Sequence, residues 1–293
     1  MHKYLRAVGF SKLRKKSELK KLLKRILKEA ENKRYVSLSD ESIAVEYDKK
    51  ISESTGIVVY GEYADDVEFN FEYFYPYVNG MNVSSHEEVT VEKRYDKDSY
   101  EGICDDIKLG ISTIFYLQNQ MEYVKLVNAN EFPVTRTSVT LAAFSVDGSI
   151  MLPLNKTTIQ RQNNEQVEKN RTKLIEAARN GDEEAMENLT LDDIDTYSAI
   201  SRKIRSEDVY SLVDTYFMPY GIECDHYSVL GEIIDYHTEI NSLTKELIYI
   251  ITINCNGLIF DVCINKKDLV GEPAVKRRFK GIIWMQGRIN FIK

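Results

Sequence analysis

The densest collection of chemically capable side chains lies between residues 223 and 239: Glu223, Cys224, Asp225 and His226, then Glu232, Asp235, His237 and Glu239. On an extended strand side chains alternate between faces, so Asp235, His237 and Glu239 project to one side. There a carboxylate can orient an imidazole for acid–base work, and the trio together offers donors suited to a divalent metal. Cys224 and His226 also raise a thiol–imidazole nucleophile, although an i, i+2 spacing does not by itself establish a hydrogen bond. The wet face of an edge strand carries the same residue types, so no metal site is assigned. The candidate catalytic residues are His226, Asp235, His237 and Glu239.

A second group, Lys276, Arg277, Arg278 and Lys280, surrounds Phe279 and precedes Trp284. Cations interleaved with aromatic rings on a small β-structure are the ingredients of phosphate or single-strand binding, which makes these residues and Trp284 the candidate ligand-binding set. The structural alternative is pairing with Asp261, Asp268 or Glu272.

Several chemistries have no representative. There is no Walker loop, Gly-x-Gly-x-x-Gly, Gly-x-Ser-x-Gly or His-Glu-x-x-His, and no cofactor is evident. The acidic run 192–195 fails as a calcium loop because Ser198 and Ile204 stand where Gly and a bidentate Glu are required. Cys104, Cys224, Cys255 and Cys263 contain no Cys-x-x-Cys pair and are expected to be reduced. No apolar run is long enough to span a bilayer, and the basic start lacks an apolar signal region, so a cytoplasmic location is expected.

Charge is unevenly distributed. Residues 1–34 hold thirteen Lys and Arg against three Glu, so a chain of net charge −7 carries −17 in its remainder. An acidic body repels polyanions at long range, which restricts nucleic-acid binding to a local basic patch.

These residues need elements to position them. A short strand is expected at 4–10. Leu19, Leu22, Leu23, Ile26, Leu27 and Ala30 then make one helical stripe, with Ser17 as its cap and lysines on the opposite face. From 41 to 94 the apolar pattern alternates as in antiparallel strands, and five aromatics of 69–77 share one face. Residues 105–126 present a broad apolar face and read as a buried helix. A hairpin is expected around Asp147-Gly148. Polar residues 155–170 read as a linker. Helices are expected at 171–179, 183–189, 194–204 and 207–218.

The end of the chain is the most legible. Asn256-Gly257 predicts a two-residue hairpin turn that pairs Cys255 with Leu258, Ile253 with Phe260, Ile251 with Val262 and Tyr249 with Ile264, an all-apolar face. The opposite face is mixed and expected to be partly wet. A strand at 227–240 with a bulge near Gly231 precedes this hairpin, and a strand or hairpin at 278–291 follows. The expected fold is therefore α+β: an N-terminal α+β domain with an antiparallel sheet (1–154), a linker (155–170), a helical connector (171–221) and a small bent antiparallel C-terminal β-sheet or half-barrel (222–293).

YLRAVGFS with its Leu/Lys helix, LGISTIFYLQN, GDEEAMENLTLDDIDTY, FMPYGIECDHYSVLGEI, NGLIFDVCIN and RRFKGIIWMQGRINF resemble an uncharacterised bacterial family of similar length, a domain of unknown function. The resemblance implies a bacterial cytoplasmic protein and supplies no activity. A legible scaffold without a legible catalytic set points first to a non-enzymatic binding or interaction protein, its partner another protein or a small anionic ligand. The alternatives are an enzyme or metal-binding protein with its site around 225–239, and a structural subunit of a homo-oligomer.

Overall fold

The computed structural model describes residues 2–38, 42–64, 68–95, 99–106, 109–131, 137–154, 167, 170–178, 180–191 and 213–291. Their architecture is mostly β, with two sheets of four and ten strands, which corrects the α+β expectation. The C-terminal strands do not form a small sheet of their own.

The smaller sheet is an antiparallel meander of β1 (Asn32–Ser37), β2 (Ser42–Lys50), β3 (Thr55–Ala64) and β4 (Glu68–Val78). The larger contains β5 (Val89–Lys93), β6 (Tyr100–Cys104), β7 (Thr113–Leu117), β8 (Thr137–Met151), β9 (Tyr216–Pro219), β10 (His226–Ile240), β11 (Leu247–Cys255), β12 (Leu258–Asn265), β13 (Leu269–Val270) and β14 (Arg278–Phe291). Within it β8, β12, β11, β10 and β14 pair in that order, and β14 pairs again with β8, so five strands close into a ring. Closure removes two free edges and encloses a core, the usual advantage of a barrel.

The β11–β12 hairpin has every predicted pairing, and Asn256 and Gly257 both have positive φ, 54° and 83°. This is the twist-compatible turn that Asn-Gly favours. Its all-apolar face lies in the ring's interior core with Val229, Val139 and Met285. The face expected to be partly wet is also buried: Ile248, Ile250 and Cys263 pack with Ala7 and Val8 in a second core. Residues far away in sequence supply that cover, and alternation within one hairpin cannot reveal them.

Local departures have local causes. Residues 4–10 are not a strand; a 3-10 turn at Lys3–Leu5 leads into further turns and Gly9 at φ 93°. α1 (Lys16–Glu29) buries Leu22 and Ile26 as the stripe requires, but Lys15 occupies the cap position in place of Ser17. Glu18 accepts the Lys15 and Arg14 amides at 3.2 and 3.3 Å, satisfying donors at the helix start. The buried helix expected at 105–126 is instead strand β7 followed by α2 (Gln120–Asn128), the break introduced by Gly110 at φ 67° and a β-branched and aromatic run. β8 runs straight through Asp147-Gly148 because it pairs with β14 on one side and β12 and β13 on the other. The irregularity in β10 lies between Ile233 and Asp235 rather than at Gly231, and residues 278–291 are one strand.

Helices at 170–178 and 183–191 match the expected positions, with the Asp182 carboxylate accepting the Ala185 amide at 3.1 Å. The helix expected at 194–204, the first half of the 207–218 helix and nearly all of the 155–170 linker lie outside the described residues; the second half of 207–218 is not helical, residues 213–215 being irregular and 216–218 entering β9.

Candidate functional site

Cross-strand register brings one member of each candidate group together. His226 opens β10 and sits opposite Trp284 of β14. On the ring's outer wall, against β4 and the N-terminal turn, they line a pocket of about 290 Å³ with Tyr4, Phe74, Tyr75, Tyr116, Arg94 and Ser99. The volume is at the small end of ligand pockets, which run from about 300 to 1,000 Å³.

Asp225 organises the polar side. Its Oδ1 lies 2.8 Å from His226 Nδ1, and its Oδ2 accepts Trp284 Nε1–H at 2.8 Å and Arg94 Nη1 at 3.1 Å. Its carbonyl accepts the Met285 amide at 2.8 Å, so the side chain and backbone both lock it to β14. Asp225 is only 2% exposed. That burial acts to raise its carboxyl pKa, but the bonds from His226 and Trp284 and the charge of Arg94 outweigh it and hold the group below its ordinary range. With Nδ1 donating to the carboxylate, Nε2 is the ring nitrogen left for a ligand, an acceptor whenever it carries no proton.

The apolar side is a set of rings. Tyr4 stacks on Trp284 with centroids 5.2 Å apart, His2 lies 5.0 Å from the indole, and Tyr116 and Phe144 lie 5.6 and 6.0 Å away. Tyr75 is fixed from behind: its hydroxyl donates to Glu46 at 3.3 Å, and Arg34 and Gln120 reach the same carboxylate at 2.9 Å. Burial raises the Glu46 pKa, opposed chiefly by Arg34. Tyr4 and Ser99 are 4% and 1% exposed, and neither hydroxyl has a hydrogen-bond partner among the described residues. Burial, then the carboxylates of Asp225 and Glu223, raise the Tyr4 pKa and keep that hydroxyl protonated.

The other sequence candidates stand elsewhere. His237 is eleven residues from His226 on the same strand, about 36 Å along an extended chain. His237 Nε2 meets Glu239 at 3.1 Å, but Glu239 also accepts the Ser54 hydroxyl at 2.7 Å and amide at 3.1 Å, which ties β10 to a turn of the smaller sheet. Asp235 accepts the amide of its neighbour Tyr236 at 2.8 Å. Among the described residues no group of three or more His, Cys, Asp or Glu is arranged to hold a metal. Cys224 makes its contact with Glu101 at 3.3 Å while the near nitrogen of His226 faces Asp225. Partial burial of the sulfur and then Glu101 push that thiol up to about 11, opposite to the shift an activated thiolate needs.

The basic group is similarly divided. Arg278 is buried and donates to the carbonyls of Leu152 at 3.1 Å and Val213 at 2.8 Å, and burial lowers its pKa. Arg277 donates to the Glu272 carbonyl at 2.7 Å, and the Lys276 amide, at φ 72°, donates to Ile233. Lys280 lies within β14 opposite Leu230 and Ser149. Asp261 instead pairs with Thr252 and the Met81 amide, and Asp268 with Arg6. Sequence reading placed Asp225 beside His226 in the acidic cluster but missed its link to Trp284, and missed Arg94, Tyr4 and the β4 rings as parts of the same site. A usable signal was present in the only tryptophan of the chain and the aromatic run of β4.

Fold and site thus define a mostly-β protein with a small aromatic pocket, an aspartate-anchored imidazole at its polar side and no helix among the described residues long and apolar enough to cross a membrane. The chain belongs to the bacterial family described as a domain of unknown function from E. rectale, DUF3881, whose model matches residues 5–287. No curated protein and no solved structure matches it.

Proposed function

We propose that this protein binds a compact planar ligand, a heteroaromatic ring carrying at least one N–H donor, in the pocket between β4, the N-terminal turn and the outer wall of the ring. The observation that carries this reading is the union of stacked rings with three separate polar groups, the His226 Nε2 acceptor and the Tyr4 and Ser99 hydroxyls. Apolar walls supply affinity and a few placed polar atoms supply orientation, the common division of labour in small-molecule sites. The two hydroxyls have no partner among the described residues, and a bound polar atom would relieve the cost of burying them.

Trp284 makes the test direct, because the single tryptophan lines the pocket. Titration with adenine, uracil and indole should produce a saturable change in its emission for at least one ring, with the same adduct in native mass spectrometry. His226→Gln and Tyr4→Leu should each weaken that binding by tenfold or more. Absence of saturable binding by all three rings, or binding that both variants leave intact, would overturn the proposal.

A further inference from the structure

The larger concavity lies elsewhere, with a different chemistry. A pocket of about 610 Å³ opens between the segment before α1, the turn before β11 and the end of β12. Phe10, Leu13 and Leu247 line it with Lys12, Lys245 and Lys266. Its two carboxylates are committed to the protein's own structure. Glu246 accepts the Ser11 amide and hydroxyl at 3.1 and 2.6 Å, Asn265 Nδ2 at 2.8 Å and Lys267 Nζ at 2.7 Å. Glu18 accepts the two amides at the start of α1.

Lys12, Lys245 and Lys266 have no ion-pair partner among the described residues, and all three are exposed. Lys245 also holds a left-handed backbone, φ 63°, a conformation costly for a long side chain and sustained here by Asn241, which accepts the Lys245 amide through its carbonyl and the Leu243 and Thr244 amides through its side chain. Three ammonium groups around an apolar floor, Lys12 from the +10 N-terminal segment and Lys245 and Lys266 from the acidic remainder, make a local attractor for negative charge. Ammonium groups act on phosphates as point charges and need no planar geometry, whereas the apolar floor accommodates an organic group.

We infer that this pocket binds a small organic ligand carrying two or more phosphate groups, phosphates toward the lysines and the organic part toward Phe10 and Leu13. The probes are inorganic pyrophosphate, adenosine diphosphate and adenosine, titrated calorimetrically into the full-length protein at low salt. Pyrophosphate and the diphosphate should bind this pocket one per chain, the diphosphate more tightly, adenosine should not displace pyrophosphate, and affinity should fall as salt rises. Lys12→Glu with Lys266→Glu should weaken binding at least tenfold. Lys20→Glu with Lys24→Glu, on exposed positions of α1 outside the pocket, should change it less than threefold. Far-UV circular dichroism checks that both variants keep the fold.

Equal losses in the two double variants would overturn the inference by assigning the effect to diffuse attraction, as would the absence of binding to both phosphates. A lipid surface offers the same phosphate chemistry, so phosphatidylglycerol vesicles form a second arm. Co-sedimentation that pyrophosphate cannot displace would replace the soluble ligand with a membrane surface and overturn the inference as stated. Trp284 emission should not move with pyrophosphate, which separates this pocket from the aromatic one.

Discussion

Asp225 ties three parts of the site together, because its two buried oxygens join the imidazole, the indole and the Arg94 guanidinium. Removing its charge leaves three donors turned toward a poorer acceptor. Asp225→Asn should therefore cost about 2–4 kcal/mol at pH 7, the range for a broken buried charged network. The sign with pH follows from the lowered carboxyl pKa. A folded value below the ordinary 3.8 stabilises the protein at neutral pH, and that stability is lost as pH falls through the folded value. The deficit of the variant should thus shrink in acid, read by urea unfolding at pH 7 and at pH 3. An undiminished deficit at pH 3 would show that the carboxylate's charge is not what the site uses. Little of this was legible in the sequence. His226 and Trp284 could each be singled out by type, but Asp225 and Trp284 are 59 positions apart and only the β10–β14 register places them in contact.

At the scale of elements, legibility followed how local the deciding interaction is. The Asn256-Gly257 turn sets the entire β11–β12 register from within its own hairpin, and the stripe of α1 likewise depends on residues a turn apart. Gly257 has φ 83°, where an added Cβ meets the backbone at about 1–2 kcal/mol, so Gly257→Ala should lower unfolding stability by that amount without changing the pocket. Equal stability of the variant and the parent in urea would show that the turn does not hold the register. β7, by contrast, resembles a helix on its apolar content. It becomes a strand because Thr113–Leu117 has β6 to pair with and the end of β14 alongside, partners invisible to any window of twenty residues. The same reason explains β8. Asp147-Gly148 has turn chemistry, yet ladders on both sides supply more hydrogen bonds than a turn could, and the strand continues to Met151.

For the molecule as a whole, β8 is the member that decides cooperativity. It precedes residues 155–212 in sequence, yet it closes the ring formed with β10, β11, β12 and β14, all of which follow them. Arg278 reinforces this closure by donating to carbonyls at Leu152 and Val213, on both flanks of the intervening chain. Neither the ring's interior core nor the core beneath the N-terminal turn can be completed from one side of that segment: the first needs Val139 and Leu141 with Ile251 and Val262, the second needs Tyr4 and Val8 with Ile250 and Trp284. Unfolding either part therefore exposes the apolar surface of the other, the condition for a single cooperative transition. Trp284 emission reports the outer wall, and far-UV circular dichroism reports all strands together. Their urea midpoints should coincide, and Phe144→Ala in β8, which strips a buried ring from beside Trp284, should shift both midpoints equally while costing about 3–5 kcal/mol. Two separated midpoints, with only one moved by Phe144→Ala, would mean that the shared ring does not couple the two parts of the chain.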